Sequence, residues 1–327
     1  MADIKRHDVL ISIAHVTRIR WWVFASILGI GFLTYILLRY NESRLKFWYS
    51  RLRLEHRPKR YDTGKKRVTF RNAVLPEQVL AELKSIVEFV KEPSKYNKLG
   101  GELENLLLVG PPGIGKTLAA HALAGEANIP IFLLSEPVAN LAELHEFLNE
   151  GNRNAPCILF LDNIDAIARS RSLWPDLETE HLEAATTVLI SYLDHNNTSD
   201  GIFLVAATNR LELIDEALIR PGRLKVIEFS YPTLLEIEGV FKTSTRRIPL
   251  AEDVDISILS RRFIEMYPLG TGAMVAKACS LAAALASEQS AKIVNQAMFL
   301  KAMEQLSETL VEKSTMGTMN ANEIGTA

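Results

Sequence analysis

The stretch "NLLLVGPPGIGKTLAAHALAGEA", residues 105–127, decides the fold. An apolar run, Leu106–Val109, leads into a glycine- and proline-rich turn, and an alanine-rich run follows. The order is strand, loop, helix. The spacing from Gly110 to Gly115-Lys116-Thr117 is G-x4-G-K-T, that of a phosphate-binding loop. Gly110, Pro111, Pro112, Gly113, Ile114 and Gly115 form a loop whose backbone N–H groups can wrap phosphate oxygens. The helix that begins at Lys116 adds free N–H groups and the positive end of its dipole. Lys116 is placed to reach β- and γ-phosphates, the Thr117 hydroxyl to ligate Mg²⁺, and Leu118 follows in the same turn. The expected ligand is ATP with Mg²⁺.

Two more apolar runs complete the pattern. "CILFLDNIDAI" (157–167) delivers Asp162 to the end of a buried strand, where it is expected to hold Mg²⁺. "GIFLVAATNR" (201–210) ends in Asn209, an amide suited to orienting a water beside the γ-phosphate. Apolar strands alternating with helical stretches predict an α/β fold with a parallel sheet and a ligand outside the carboxyl ends of the strands.

The net charge of −2 hides an uneven distribution. Residues 39–67 carry eleven Lys and Arg against Glu42, Glu55 and Asp62, and residues 1–20 carry four against two, which leaves about −12 for residues 68–327. Residues 21–38, "WWVFASILGIGFLTYILL", contain no charge and as a helix would span roughly 27 Å, the thickness of a bilayer core. Trp21, Trp22 and Tyr40 stand at the ends, and Arg20 and Arg39 flank them. The stretch 21–40 therefore reads as one transmembrane helix, and no small-residue cleavage site follows it. The heavier positive flank lies after it, so the C-terminal part is expected on the cytoplasmic side. Beside a span, anionic lipid is preferred over nucleic acid as the partner of this flank. Two cysteines, Cys157 and Cys279, give neither a disulfide framework nor metal-ligand spacing.

Taken together, "VTFRNAVLPEQVLAELKSIVEFVKEPSKYNKLG" (68–100), the phosphate loop, "NAPCILFLDNIDAI" (154–167), "VAATNRLELIDEALIRPGRL" (205–224) and "LGTGAMVAKACSLAAALA" (269–286) resemble the AAA module of the membrane-anchored FtsH-type proteases. The resemblance covers roughly 68–308. It implies an N-terminal tail (1–20), a span (21–40), a basic juxtamembrane linker (41–67), a large α/β domain (68–230), a small helical lid (231–310) and a polar tail (311–327). It implies a ring, usually a hexamer, with ATP between subunits. By position, Gly110–Thr117 match the Walker A motif, Asp162 the Walker B acid and Asn209 sensor 1. Arg220 and Arg223 match the fingers that reach a neighbour's γ-phosphate. Val74 lies in the segment that lines the base, and Gly272 and Ala273 match the lid's contact with the nucleotide.

The departures fall on one axis. The family's H-E-x-x-H protease motif is absent from this chain, since His145-Glu146 continues Phe-Leu-Asn, so this chain alone is not expected to be a protease. Asn163 stands where the family has the glutamate that polarises water. An amide cannot take the proton, and losing a general base costs about 10²–10⁴ in rate. The aromatic–apolar–Gly pore triplet is missing from "FLLSEPVANLAELHEFL" (132–148), and "RSLWPDLETEHL" (171–182) replaces the glycine-rich second pore loop. Leu75 replaces a glycine expected beside the adenine. The resulting expectation is a membrane-anchored ATP-binding protein with weak or absent hydrolysis. It would be a regulatory or scaffold subunit in a homo- or hetero-oligomeric ring, active FtsH-type subunits among its partners. The alternative is an active AAA ATPase that extracts or remodels membrane proteins. A bacterial inner membrane is favoured over an organelle's inner membrane.

Overall fold

A computed structural model describes residues 59–61, 67–97, 103–134, 141–169, 179–195, 198 and 201–308. The expected tail 1–20, span 21–40, most of the linker 41–67, the segment around Trp174 and the tail 311–327 lie outside the described residues. The chain divides into two units, Met1–Arg57 and Pro58–Ala327, and the described residues belong to the second. Among them no helix is long and apolar enough to cross a membrane.

Six strands form one sheet: β1 (Lys59–Tyr61), β2 (Asn105–Val109), β3 (Ile131–Leu134), β4 (Cys157–Leu161), β5 (Ile202–Thr208) and β6 (Leu224–Glu228). Their order is β1-β3-β4-β5-β2-β6. Strands β2 to β6 are parallel, as the alternation of strands and helices predicts. Strand β1 is an addition at the edge, antiparallel to β3, within a segment expected to be linker.

The strands alternate strictly between two cores, because successive side chains leave opposite faces. Leu106, Leu108, Ile158, Phe160, Phe203, Val205 and Ala207 face one layer. Leu107, Leu159, Leu161, Ile202, Leu204 and Ala206 face the other. Both faces are covered, which is why these strands read as unbroken apolar runs. The first layer holds α1 (Glu77–Lys91) and α3 (Lys116–Ala127), with the short α2 (Pro93–Asn97) beside them. Helix α1 is amphipathic and buries Val79, Leu83, Ile86 and Val87 at helical spacing. Helix α3 has no such stripe. Its small residues, Ala119, Ala120, Ala122 and Ala124, are buried all round, so it fits between sheet and α1. The second layer holds α4 (Leu141–Arg153) and α5 (Thr179–His195), which bury Leu144, Phe147, Leu189 and Leu193.

After β6 the sheet ends and a helical unit begins. It contains α6 (Leu234–Ser244), α7 (Ile256–Met266), α8 (Gly272–Glu288) and α9, residues 296–308. Thr233 and Glu236 form a reciprocal capping box that starts α6, and Asp255 caps α7. The unit has its own core, in which Phe241 and Phe263 meet edge to face at 6.0 Å among Val275, Ala282 and Phe299.

Candidate nucleotide site

The strand order explains how residues distant in sequence meet. Strands β4, β5 and β2 are neighbours and parallel, so their carboxyl ends stand in one row. From β2 the chain crosses to β3, beyond β5 and β4, which opens a crevice at the switch point. The loop after β2 carries the glycine-rich turn, β4 ends at Asp162 and Asn163, and β5 ends at Asn209.

A cavity of about 480 Å³ lies there, of a size suited to a small-molecule ligand. Pro112, Gly113, Ile114, Gly115, Lys116, Thr117 and Leu118 form its floor, and Asp162, Asn163 and Asn209 stand at one end. Gly110, Gly113 and Gly115 have φ of 155°, 76° and 113°. Those conformations are open to glycine at little cost and set the turns of the loop, while the Gly110 N–H donates to the Thr208 carbonyl at 3.3 Å. The first turn of α3 contains no acidic side chain, so the positive end of the helix is left for an anion. Gly110 and Pro111 do not line the cavity. Their carbonyls accept from Lys116 Nζ at 2.6 and 2.9 Å, and Asn209 Oδ1 accepts from the same amine at 2.7 Å. Burial lowers the Lys116 pKa, while Asp162 and Asp165 oppose the shift.

Thr117 Oγ1 donates to Asp162 Oδ2 at 3.1 Å. The paired hydroxyl and carboxylate are hard oxygen donors at the mouth of the phosphate loop, a set that fits Mg²⁺. Asp162 Oδ1 accepts from the Asn163 N–H at 3.1 Å. Among the described residues that line the cavity, Asp162 is the single carboxylate. Asp165 lies behind the site. Its Oδ1 accepts from Thr208 Oγ1 at 2.7 Å, and that hydroxyl also accepts from the Arg210 N–H at 2.9 Å. This tie joins the turn carrying Asn163 to the strand end carrying Asn209.

The helical unit closes the other side. Gly272, Ala273 and Ala276 from α8, and Val240, Thr243 and Ser244 from α6, line the cavity together with Asn72 and Val74. Ala273 N–H donates to the Gly113 carbonyl at 3.1 Å, a direct bond between helical unit and loop. The cavity is thus lined by the amino ends of α3 and α8 and by the carboxyl end of α6.

Among sequence-predicted residues, the loop positions from Pro112 on, with Leu118, Val74, Asp162, Asn163, Asn209, Gly272 and Ala273, line one cavity. Leu75 does not. It is buried in the core with Ala73, and the alternate positions before it, Asn72 and Val74, line the cavity instead. Arg220 and Arg223 also lie away from it. Arg220 is exposed, whereas Arg223 forms a two-pronged pair with Asp194, at 2.7 and 2.8 Å, and donates to the Ala217 carbonyl. Sequence reasoning missed Val240, Thr243, Ser244 and Ala276. Their signal was helical spacing, with 240, 243 and 244 on one face of α6 and 272, 273 and 276 on one face of α8.

The fold and site define a phosphate-loop α/β protein with a helical unit bonded to the loop. Residues 106–231 match the model of the ATPase family associated with various cellular activities, AAA, and the chain carries an AAA domain. Its curated relatives include ATP-dependent zinc metalloproteases FtsH. That of Acidobacterium capsulatum is 32% identical over 332 residues, covering 96% of this chain and 50% of that protein. That of Thermotoga maritima is 36% identical over 263 residues, covering 78% and 42%. That of Rhodothermus marinus is 34% identical over 316 residues, covering 93% and 44%. The chain therefore spans half or less of the length of these relatives. Among the described residues no group of three or more His, Cys, Asp and Glu could hold a metal ion.

Proposed function

We propose that the chain is a membrane-anchored AAA protein that binds Mg·ATP, hydrolyses it slowly or not at all, and acts as a regulatory or scaffold subunit of an oligomeric ring. The observation that carries this reading is the composition of the cavity wall. Asp162 is the single carboxylate among the described residues that line it, engaged with Thr117 and the Asn163 N–H, and the next position is an amide. Binding needs loop, lysine, hydroxyl and acid, and all are in place. Hydrolysis needs a group to accept the proton of the attacking water, and neither Asn163 nor Asn209 can. Asn209 Oδ1 is further engaged by Lys116 Nζ.

Within this reading Lys116 and the N–H groups of Gly113–Thr117 hold the phosphates, and Thr117 and Asp162 hold Mg²⁺. The metal supplies charge neutralisation between phosphate oxygens. Val74, Val240 and Ala276 enclose the base and sugar. Arg220, exposed, is the finger available to a neighbouring subunit. Membrane anchoring rests on residues 21–40, supported by the Acidobacterium capsulatum alignment, which leaves too little of the chain uncovered to omit that segment. The relatives' name, ATP-dependent zinc metalloprotease FtsH, and their bacterial sources make FtsH-type chains the proposed partners.

The test is Mg·ATP binding and turnover by the purified full chain beside Lys116→Ala. Binding that Lys116→Ala abolishes, with no steady turnover, supports the reading. Steady turnover by the native chain overturns it and puts the remodelling ATPase in its place.

A further inference from the structure

The rim of the cavity beside Asn72 and Ser244 is basic. Arg71 leads into the segment that lines the cavity, and Arg246 and Arg247 follow α6. Arg246 Nη2 donates to the Arg71 carbonyl at 3.1 Å, which brings the two stretches together. Arg71, Arg246 and Arg247 are all exposed, and none forms an ion pair among the described residues. Lys242, one turn earlier, is exposed and stands 3.6 Å from Glu238. The next acids along the chain, Glu252 and Asp253, belong to the turn before α7, where Asp253 accepts from the Gln296 N–H. Like charges gathered without acids draw their countercharge from outside.

The rim also continues a longer basic run. Residues 39–67 hold eleven Lys and Arg, and this run enters the sheet at β1 and ends at Arg67, four residues before Arg71. The junction is fixed: a Cβ on Gly125 of α3 would stand 1.9 Å from the Val68 carbonyl, so the segment lies directly on α3.

We propose that Arg71, Arg246 and Arg247 form a docking rim that seats the folded unit on anionic lipid headgroups of the membrane crossed by residues 21–40. The proposal rests on the membrane-anchored reading above. Arginine is suited to the role because its planar fork pairs with phosphate oxygens in two bonds. A bilayer surface presents such oxygens to all three side chains at once. Residues 59–61 are held in the sheet as β1, so the tether between the span and the folded unit is residues 41–58, which at no more than about 3.6 Å per residue reaches up to roughly 65 Å and lets the rim approach the surface it leaves. Tethering by the span holds the headgroups at high local concentration. Each arginine near an anionic surface contributes about a fivefold gain in affinity.

The experiment uses the full chain in lipid nanodiscs, either phosphatidylcholine alone or phosphatidylcholine with phosphatidylglycerol. Amide hydrogen exchange is read over residues 242–248, with α7 as an internal reference. Exchange in the rim is expected to slow severalfold in the anionic discs alone. The triple variant Arg71→Gln, Arg246→Gln, Arg247→Gln should lose that protection, and the three Arg→Lys changes should keep most of it. Equal exchange in both lipids, with the chain incorporated, overturns the rim and leaves the anchor standing. A chain that does not enter discs at all overturns the anchored reading and the rim with it. Protection given by a single-stranded oligonucleotide but not by anionic lipid overturns the rim in favour of a nucleic-acid partner.

Discussion

Asn163 has φ 54° and ψ 50°, in the left-handed region, where asparagine is among the few side chains that rest without large strain. The residue is exposed and faces the cavity, while Ile164 beside it is fully buried and fixes the turn. The amide is thus held at the spot where a base would act. Lys116 is the other decisive side chain. Burial holds its pKa below the ordinary lysine value of 10.5. Between its folded and unfolded pKa the unfolded chain binds more protons, so the cost of the buried cation is relieved, and stability rises, as pH climbs through that window. Bound phosphate favours the charged amine. Nucleotide affinity is therefore expected to be full at neutral pH and to fall as pH rises through the lowered pKa, with proton uptake on binding in that range. Titration calorimetry from about pH 7 to pH 10 reads both effects, and affinity flat across that range without proton uptake contradicts the assignment. At this scale the sequence was most legible where chemistry is contiguous: G-x4-G-K-T names its own residues. The roles that depend on another strand were not legible. Asp165 is tied to Thr208, and the alternation of residues 72–75 sends Ala73 and Leu75 to the core while Asn72 and Val74 line the cavity.

The elements that place the site are β2, β4 and β5, and their apolar runs were readable from sequence because both faces of a parallel strand are buried. Strand β1 was not readable. Three residues in a basic stretch carry no periodicity, and only pairing with β3 makes them a strand. Helix α6 shows what sequence spacing alone leaves open. Its capping box is visible in "TLLE", yet its contact with the cavity depends on a fit between Val74 and Gly239. A Cβ on Gly239 would stand 3.0 Å from Val74 Cγ2. Gly239→Leu is therefore expected to push α6 off the segment that carries Val74 and weaken Mg·ATP binding, with the helical core intact. Paired measurement of affinity and of the far-ultraviolet melting curve checks this. Native affinity in a folded Gly239→Leu protein would show that the contact does not set the width of the cavity.

At the scale of the whole molecule, a sheet domain and a helical unit meet across one cavity, joined by the Gly113–Ala273 bond and by Arg246 on the Arg71 carbonyl. Sequence order does not show which surfaces meet, since that follows from the strand order and from close backbone contacts. Nor did it foretell that Arg223, expected to reach a neighbour, would be held by Asp194 of its own chain. That fork also draws the Asp194 pKa down. In the proposed reading the retained groups serve nucleotide binding and contact between subunits, and the amide at Asn163 stands in place of a proton acceptor. The most direct measurement is ATP turnover by the full native chain and by Asn163→Glu, with Mg·ATP affinity measured on both. A glutamate at φ 54° carries a strain of about 1–2 kcal/mol, so the variant is expected to melt somewhat earlier. The account predicts that both proteins bind Mg·ATP, that the native chain is silent, and that Asn163→Glu gains turnover of about 10²-fold or more. Steady hydrolysis by the native chain, unchanged in Asn163→Glu, would contradict it.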